Sequence, residues 1–598
     1  MRTGLILLAS LAPLALSAQD AKVETQLLLA PEPGARFEIS PKGVHVAAVV
    51  LRGSRQVLAY DGTDGPKFDQ VLRLSSQTAG GGMVAWSEDG ARWAYHAKLG
   101  QEYVVLVDGK EVTRGPWSAD LQAQGRTPVY ALGFSPGGKH WYVIIETRTP
   151  GRTNYRMTLD GVAGPLSQEV IQPLWSPDGE HHTYIQKIFT ETSGQPRYAL
   201  IVDGKPAPYL AGEMQWTGDS KHLITQRPMP GNQSTEVLAD GQPLMRVPGG
   251  VSLTMAPTGA AILGVASTPF VNGTRNAYLI VGNRKAVGSE CSNTGGLDAI
   301  YLSADAKHYA ARCAMTFMYV DGKKGQEYPE GLSHLVFTAD GRPVYYGRTN
   351  QRAFMIVGDQ ESSAYTSIVD IPAATREEQR TVNFRVAPAV VRGNHIGYIA
   401  RTKPNDGFAT VVVIDGKPLA TEGANALSLS PDGTRFAFLF GRTSGVNVDG
   451  TSYASSSVDL GIANVGYQGF FHWTPDSKHI AWITQAPNQG VVIDGRLVPA
   501  AAGTQMTRYL NFTADGKHVV WLTRGEGGVQ HIFLDGIKVL TLPQNLSLEN
   551  EADVYWSFAP DGSISFVAQD HEGMKRFRIV PGGTSVETAL AKGKPLGN

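Results

Sequence analysis

From residue 35 to about residue 590 the sequence is written in short apolar runs, many of them alternating with polar positions and separated by turn-forming residues. HVVWLT (518–523) and HIAWIT (479–484) are typical, and their length, alternation and β-branched or aromatic content predict strands. Helical spacing sustained over more than ten residues is hard to find after the first twenty residues. In front of these runs one phrase recurs: an apolar residue, then Ser, Thr or Ala, then usually Pro or a small residue, then Asp-Gly. Strong copies are WSPDGEHHTYIQ (175–186), LSPDGTRFAFLF (429–440) and FAPDGSISFVAQ (558–569). Thirteen copies are headed by Ile39, Trp86, Phe134, Trp175, Trp216, Met255, Leu302, Phe337, Val386, Leu429, Trp473, Phe512 and Phe558, with steps of 35 to 49 residues averaging near 43.

Each part of the phrase suits a tight turn. Proline presets its own backbone angle, Asp can bond back to the chain, and Gly accepts the positive φ that other residues resist. A second phrase follows some 15 to 30 residues later, as in VLVDGKEV (105–112), LIVDGKPA (200–207) and VVIDGRLV (491–498). Ten copies carry Asp-Gly, which favours the mirror-image hairpin turns. Each unit is therefore expected to be two hairpins, giving a four-stranded sheet that cannot bury its own faces. Radial stacking buries them, so the chain is expected to be all-β, with about thirteen four-stranded propeller blades and the aromatic before each turn packed between neighbours. A single ring commonly holds four to eight blades, so tandem propellers of seven plus six are expected, with the boundary between 330 and 380. An eight-plus-five division and a weak fourteenth blade stay open. The early strand TQLLLA (25–30) is expected to close a ring beside a late strand.

The turn phrase resembles the WD40-like repeat of TolB-type β-propellers, which is also found in the propeller domains of prolyl-oligopeptidase-type peptidases. The resemblance covers residues 35 to 590 and implies the fold, since the matching residues make turns and blade packing. TolB carries an extra α/β domain ahead of its propeller, whereas the repeats here start soon after the N-terminus. The second phrase is also more regular here, so TolB's own partners are not carried over.

The N-terminus reads MRTGLILLASLAPLALSAQDAK: Arg2, an apolar run from Leu5 to Leu16, and small residues at Ser17 and Ala18. That layout predicts a signal peptide over 1–18 and a periplasmic or secreted mature chain divided into 19–330 and 331–598. No later run is long enough for a membrane helix, so membrane insertion is not expected. Lys plus Arg number 53 against 54 Asp plus Glu, with no run of like charge, which leaves no footprint for nucleic acid. The only two cysteines, Cys291 and Cys313, are a disulfide candidate.

Candidate chemistry is sparse. His45, His140, His181, His222, His308, His479 and His518 all lie five residues after the turn Ser or Thr. Repeated positions are spread around a ring rather than converging, so these read as a tolerant strand-start site and not as metal ligands. Better candidates break the repeat: His96, His182, His334, His395, His472, His531 and His571. None shares a trusted metal-ligand spacing, and HEGMK (571–575) lacks a second His. DGTDGPKFD (61–69) is rich in oxygen but lacks the calcium-loop spacing. Asp178, Asp432, Asp515 and Asp561 read as turn residues. There is no P-loop and no G-x-S-x-G elbow. No catalytic, cofactor or metal residue is therefore assigned, and calcium or a transition metal has no support. The expected function is an exported, non-catalytic scaffold whose loops, such as DLQAQGRTPVY (120–130) and IFTETSGQPRY (188–198), bind a protein, peptide or glycan. The alternative is a funnel enzyme, either a metal-dependent polysaccharide lyase or a lactone hydrolase.

Overall fold

The computed structural model describes residues 21–30, 35–43, 45–74, 82–149, 152–170, 173–189, 196–208, 213–232, 234–255, 262–267, 277–281, 284–285, 297–372, 386–404, 406–424, 426–441, 445–454, 471–484, 488–543, 556–570 and 572–596. The expected signal peptide, Cys291 and His571 lie outside this set. Among the described residues, nine four-stranded and four five-stranded antiparallel sheets follow one another along the chain, with one additional two-stranded ladder. The architecture is an all-β propeller. Twelve blades draw their four core strands from a single stretch of chain; the last takes its outermost strand from the N-terminus.

The first blade (residues 36–64) sets the pattern. Its strands Arg36–Ile39, Val46–Arg52, Arg55–Tyr60 and Thr63–Asp64 pair in sequence order. The turn into the fourth strand has Asp61 at φ 47° and Gly62 at φ 77°. Two successive positive φ values give a type I′ turn, and Asp is among the few side chains that tolerate the first of them. The same pair recurs in all ten Asp-Gly copies, from Asp61-Gly62 to Asp535-Gly536.

Apolar faces of consecutive blades share cores in chain order. Ala47 and Leu58 of the first blade pack with Tyr95 and Val104 of the second, and Ala481 and Val491 (blade 472–499) pack with Leu510 and Trp521 (blade 505–542). The aromatic before the turn sits at these joints, as expected: Trp86, Trp175 and Trp473 each pack against the preceding blade. Near residue 330 the succession continues, because Tyr301, Met318 and Tyr328 share a core with Tyr345 and Ile356 of the next blade.

The last blade (residues 556–580) is completed by the N-terminal strand Lys22–Leu29, which runs antiparallel to Gly573–Val580 from Lys22 opposite Val580 to Leu29 opposite Met574. Leu28 and Leu29 then pack with Val567 and Met574 of the last blade and with Val46, Ala48 and Val57 of the first. The first and last blades are thus neighbours. Beyond the last blade, the helix Val586–Lys592 buries Val586 and Ala589 against blades 472–499 and 505–542. Lys594–Pro595 then adds a fifth strand beside Arg496–Pro499. Arg496 fastens this strap by donating to the carbonyls of Leu590 and Gly593.

One repeat copy is displaced from its expected place. Val386 does not head a blade hairpin: Val386–Ala387 pairs with Ile371–Pro372 in the two-stranded ladder. The counterpart of Ile39 is Val391, which lies opposite Ile396 as Ile39 lies opposite Val46. That hairpin is tightened to a turn at Gly393-Asn394, so it has lost the longer turn phrase, while Val-Ala-Pro nearby imitates it.

Candidate functional site

In an antiparallel meander the first-to-second and third-to-fourth turns fall at one end of each blade. The second-to-third turns and the blade-to-blade connections fall at the other. The two repeated phrases therefore share one end, the turn end, and the irregular segments share the opposite, loop end.

The turn end is a set of internal fastenings. In ten blades the Asp of the Asp-Gly turn accepts through Oδ1 from an amide at the start of the second strand, at 2.9–3.1 Å. Its Oδ2 accepts from the preceding side chain at 2.5–2.9 Å. That side chain is a histidine in eight blades, including all seven register histidines, and is Arg92 or Arg435 in the other two. The same groups reach the next blade. His140 stacks on Trp175 with ring centroids 5.9 Å apart and His181 on Trp216 at 5.4 Å, while Arg92 lies over Phe134 and Arg435 over Trp473. His308 and His395 pack so closely on Gly341 and Gly433 (φ 84° and 78°) that a Cβ there would collide with the imidazole.

The strand-start position is therefore specific rather than tolerant, because a planar donor is needed to bond the Asp edge-on and lie flat on the neighbour. His395, read from the sequence as breaking the repeat, belongs to this series through its 2.8 Å bond to Asp415. The signal that could have found the arrangement is the co-occurrence of the turn histidine with the later Asp-Gly in the same unit.

The turn aspartates are likewise occupied. Hydroxyls of Ser176, Ser430 and Ser563 donate to Asp178, Asp432 and Asp561 and hold these carboxyls below the usual range, which makes them poor proton donors. Asp515 accepts from Thr513 in the same way. The oxygens of DGTDGPKFD are dispersed: Asp61 faces His45, Asp64 pairs with Arg52, and Asp69 accepts from the Gly100 amide. Among the described residues no group of three His, Cys, Asp or Glu side chains could hold a metal ion.

At the loop end, buried polar residues on second strands pin the connections. His96 (0 % exposed) contacts the Arg73 carbonyl through Nε2 at 3.0 Å and Thr127 Oγ1 through Nδ1 at 3.2 Å. A carbonyl can only accept, so Nε2 carries the proton and Nδ1 accepts from the hydroxyl. Burial pushes this imidazole down to about 4, keeping it neutral near pH 7. Gln186 donates to the Leu166 carbonyl, and Arg312 donates to the carbonyls of Leu332 and Ser333.

The remaining off-register histidines each have contacts of their own. His182 is wedged between Trp175 and Tyr184, His334 meets the Tyr301 hydroxyl, and His531 meets Thr541. His472 lies on the first strand of its blade, where desolvation pushes it down to about 4. Cys313 is wholly buried in the strand Tyr309–Cys313.

A polar site is built at the loop end of the second and third blades. The helix Ala119–Ala123, capped by Ser118, carries the connection between them and begins the expected contact loop 120–130. Glu146, 1 % exposed at its side chain, accepts from Arg126 at 2.7 Å and from Arg148 at 2.9 Å. Arg148 also donates to Gln124. Trp117 donates to the Arg126 carbonyl at 3.0 Å, with the Lys98 ammonium 5.3 Å from its ring centroid. The other expected contact loop, 188–198, joins two strands at the same end, and its tip lies outside the described residues.

No protein-family model and no curated protein matches the chain. Among solved structures, a eukaryotic initiation factor is similar at 13% identity and TM-score 0.29, covering 67% of this chain and 95% of its own. The β-propeller domain of the Trilobed protease from Pyrococcus furiosus, described as having an open velcro topology, is similar at 10% identity and TM-score 0.19. It covers 53% of this chain and 94% of its own.

Proposed function

We propose that the protein is an exported, non-catalytic propeller scaffold that binds a protein, peptide or glycan through the loop end of its blades. The observation that carries this is the difference between the two ends. At the turn end the repeated Asp, His and Arg groups are used up inside and between blades. The loop end is irregular and offers polar groups held in place from below. Photo-crosslinkers at Gln101 and Gln351 on the loop end, and at Lys205 and Lys417 on the turn end, test this in cell-envelope extract. Adducts confined to the loop-end positions support the reading, and adducts spread over both ends overturn it.

Export to the periplasm or medium rests on the N-terminal pattern and is tested by N-terminal sequencing of protein recovered from each compartment. The Cys291–Cys313 bridge belongs with this proposal, since a secreted chain with two cysteines is suited to one. A division at residue 330 is tested by expressing 19–330 and 331–598 separately: two folded products support it, and two insoluble ones favour a continuous succession of blades. The funnel-enzyme reading is tested by elemental analysis of dialysed protein, where stoichiometric Mn, Zn or Ca would favour it over the scaffold.

A further inference from the structure

We propose that the loop end of the second and third blades is a docking site for an acidic segment of a partner protein, whose carboxylates are received by Arg126, Arg148 and Arg73. This rests on the loop-end reading above and names the site and the partner chemistry.

Glu146 organises the site. A carboxylate buried this deeply must be compensated, and two guanidiniums compensate it from opposite oxygens. Only part of each guanidinium is consumed. Arg126 spends one Nη on Glu146; Arg148 spends Nε on Glu146 and one Nη on Gln124. Their other N–H groups have no partner among the described residues. Arg126 is 42 % exposed at its side chain. The buried carboxylate therefore fixes the planes of two arginines and leaves donors facing solvent, which lowers the ordering cost of receiving a further carboxylate.

His96 extends the site. By bonding the Arg73 carbonyl and the Thr127 hydroxyl, it holds the connection carrying Arg73 to the one carrying Arg126. Arg73 is exposed and its guanidinium has no partner among the described residues. With Lys98 the site holds four cations against two carboxylates, the buried Glu146 and the exposed Asp120 on the connecting helix. Trp117 supplies a half-buried ring beside them, and the Gln101 and Gln122 amides lie next to it. Guanidinium forks, side-chain amides and an indole edge match an extended peptide bearing Asp or Glu.

The test uses the mature full chain and fluorescence anisotropy with a short labelled peptide alternating Glu and Ser, and the same peptide with Gln in place of Glu. The Glu peptide is expected to bind better than the Gln peptide and to weaken with added salt. Arg73→Gln is expected to weaken binding about tenfold with unchanged melting temperature, and Arg126→Gln, which leaves buried Glu146 only its bond to Arg148, to weaken it about tenfold with a lowered melting temperature but a cooperative transition. Arg246→Gln, an exposed arginine on another blade that bonds Ser234, is expected to bind like wild type. Equal binding of the two peptides, or Arg126→Gln and Arg73→Gln behaving like Arg246→Gln, overturns the proposal. Binding of polygalacturonate, but not of the peptide, in an Arg126-dependent way overturns the peptide assignment in favour of a glycan. Loop-end crosslinks that persist in Arg126→Gln sink this site while leaving the scaffold reading intact.

Discussion

The Asp-Gly turn offers a controlled comparison, because the same motif is buried in one blade and exposed in another. Asp535 is wholly buried and accepts from the Val519 amide at 3.0 Å, His518 Nδ1 at 2.7 Å and the Thr584 hydroxyl at 2.9 Å. Asp240 accepts from the Leu223 amide at 2.9 Å and His222 Nδ1 at 2.7 Å, with its side chain 51 % exposed. Their φ values are 51° and 48°, so replacement by Ala carries the same backbone cost at both sites. What differs is the fate of the donors. At the exposed site water replaces the carboxylate, leaving a loss of about 1–2 kcal/mol. At the buried site three donors lose their acceptor without access to water, at ~1–2 kcal/mol each, for a total of about 3–6 kcal/mol. Hydrogen exchange read by mass spectrometry over 513–536 and 217–241 reports the two local opening free energies separately. Asp535→Ala should lower protection far more than Asp240→Ala does in its own blade. Equal losses would refute the idea that burial, rather than the turn itself, sets the value of this bond.

His96 gives a pH-dependent outcome. Its neutral form is favoured by folding, with the imidazole at about 4 against its ordinary value of 6.5. Its contribution is thus full above about pH 6.5 and is lost as pH falls toward 4, amounting to about 3 kcal/mol. His96→Gln, which keeps a donor and an acceptor but cannot titrate, should show a flatter melting temperature between pH 7 and pH 4.5; parallel curves would count against this account. Leu28, wholly buried between the first and last blades, should cost ~2–5 kcal/mol on replacement by Ala, with exchange rising in 46–60 and 564–580 together. A rise confined to one of those stretches would mean that the two blades are not joined there. If the proposed bridge forms, a reducing agent should lower the melting temperature of the wild type but not that of Cys313→Ala, and a non-reducing peptide map checks the bridge directly.

The architecture was legible because a blade's turns are local chemistry. Asp-Gly pairs announce positive φ, and an aromatic before each turn announces a joint between sheets. What the sequence hid was relational. The histidine five residues after the turn looked tolerant because Arg replaces it in places, yet both residue types perform the same task for an Asp 13 to 22 residues later. The copy at Val386 was misplaced because a shortened turn erased the phrase while a neighbouring Val-Ala-Pro imitated it. Glu146 drew no notice as an unremarkable strand carboxylate. Its burial and its two arginines come from a connection some twenty residues earlier and from a neighbour on its own strand, which spacing alone does not join.

The N-terminal strand has a consequence for how the molecule is made. Gln26 and Arg576, hydrogen-bonded to each other, are 550 residues apart in sequence. For a flexible chain, bringing such ends together would cost about 5–6 kcal/mol in entropy. Blades that dock one after another remove much of that freedom beforehand, so the final clasp is entropically cheap but late. The strand Lys22–Leu29, synthesised ahead of the blades, thus waits, unpaired and carrying the sequence LLL, until the blade it completes has emerged. During that interval it is an open β-edge and an aggregation hazard, and a slow final folding phase is the natural place for a chaperone to act.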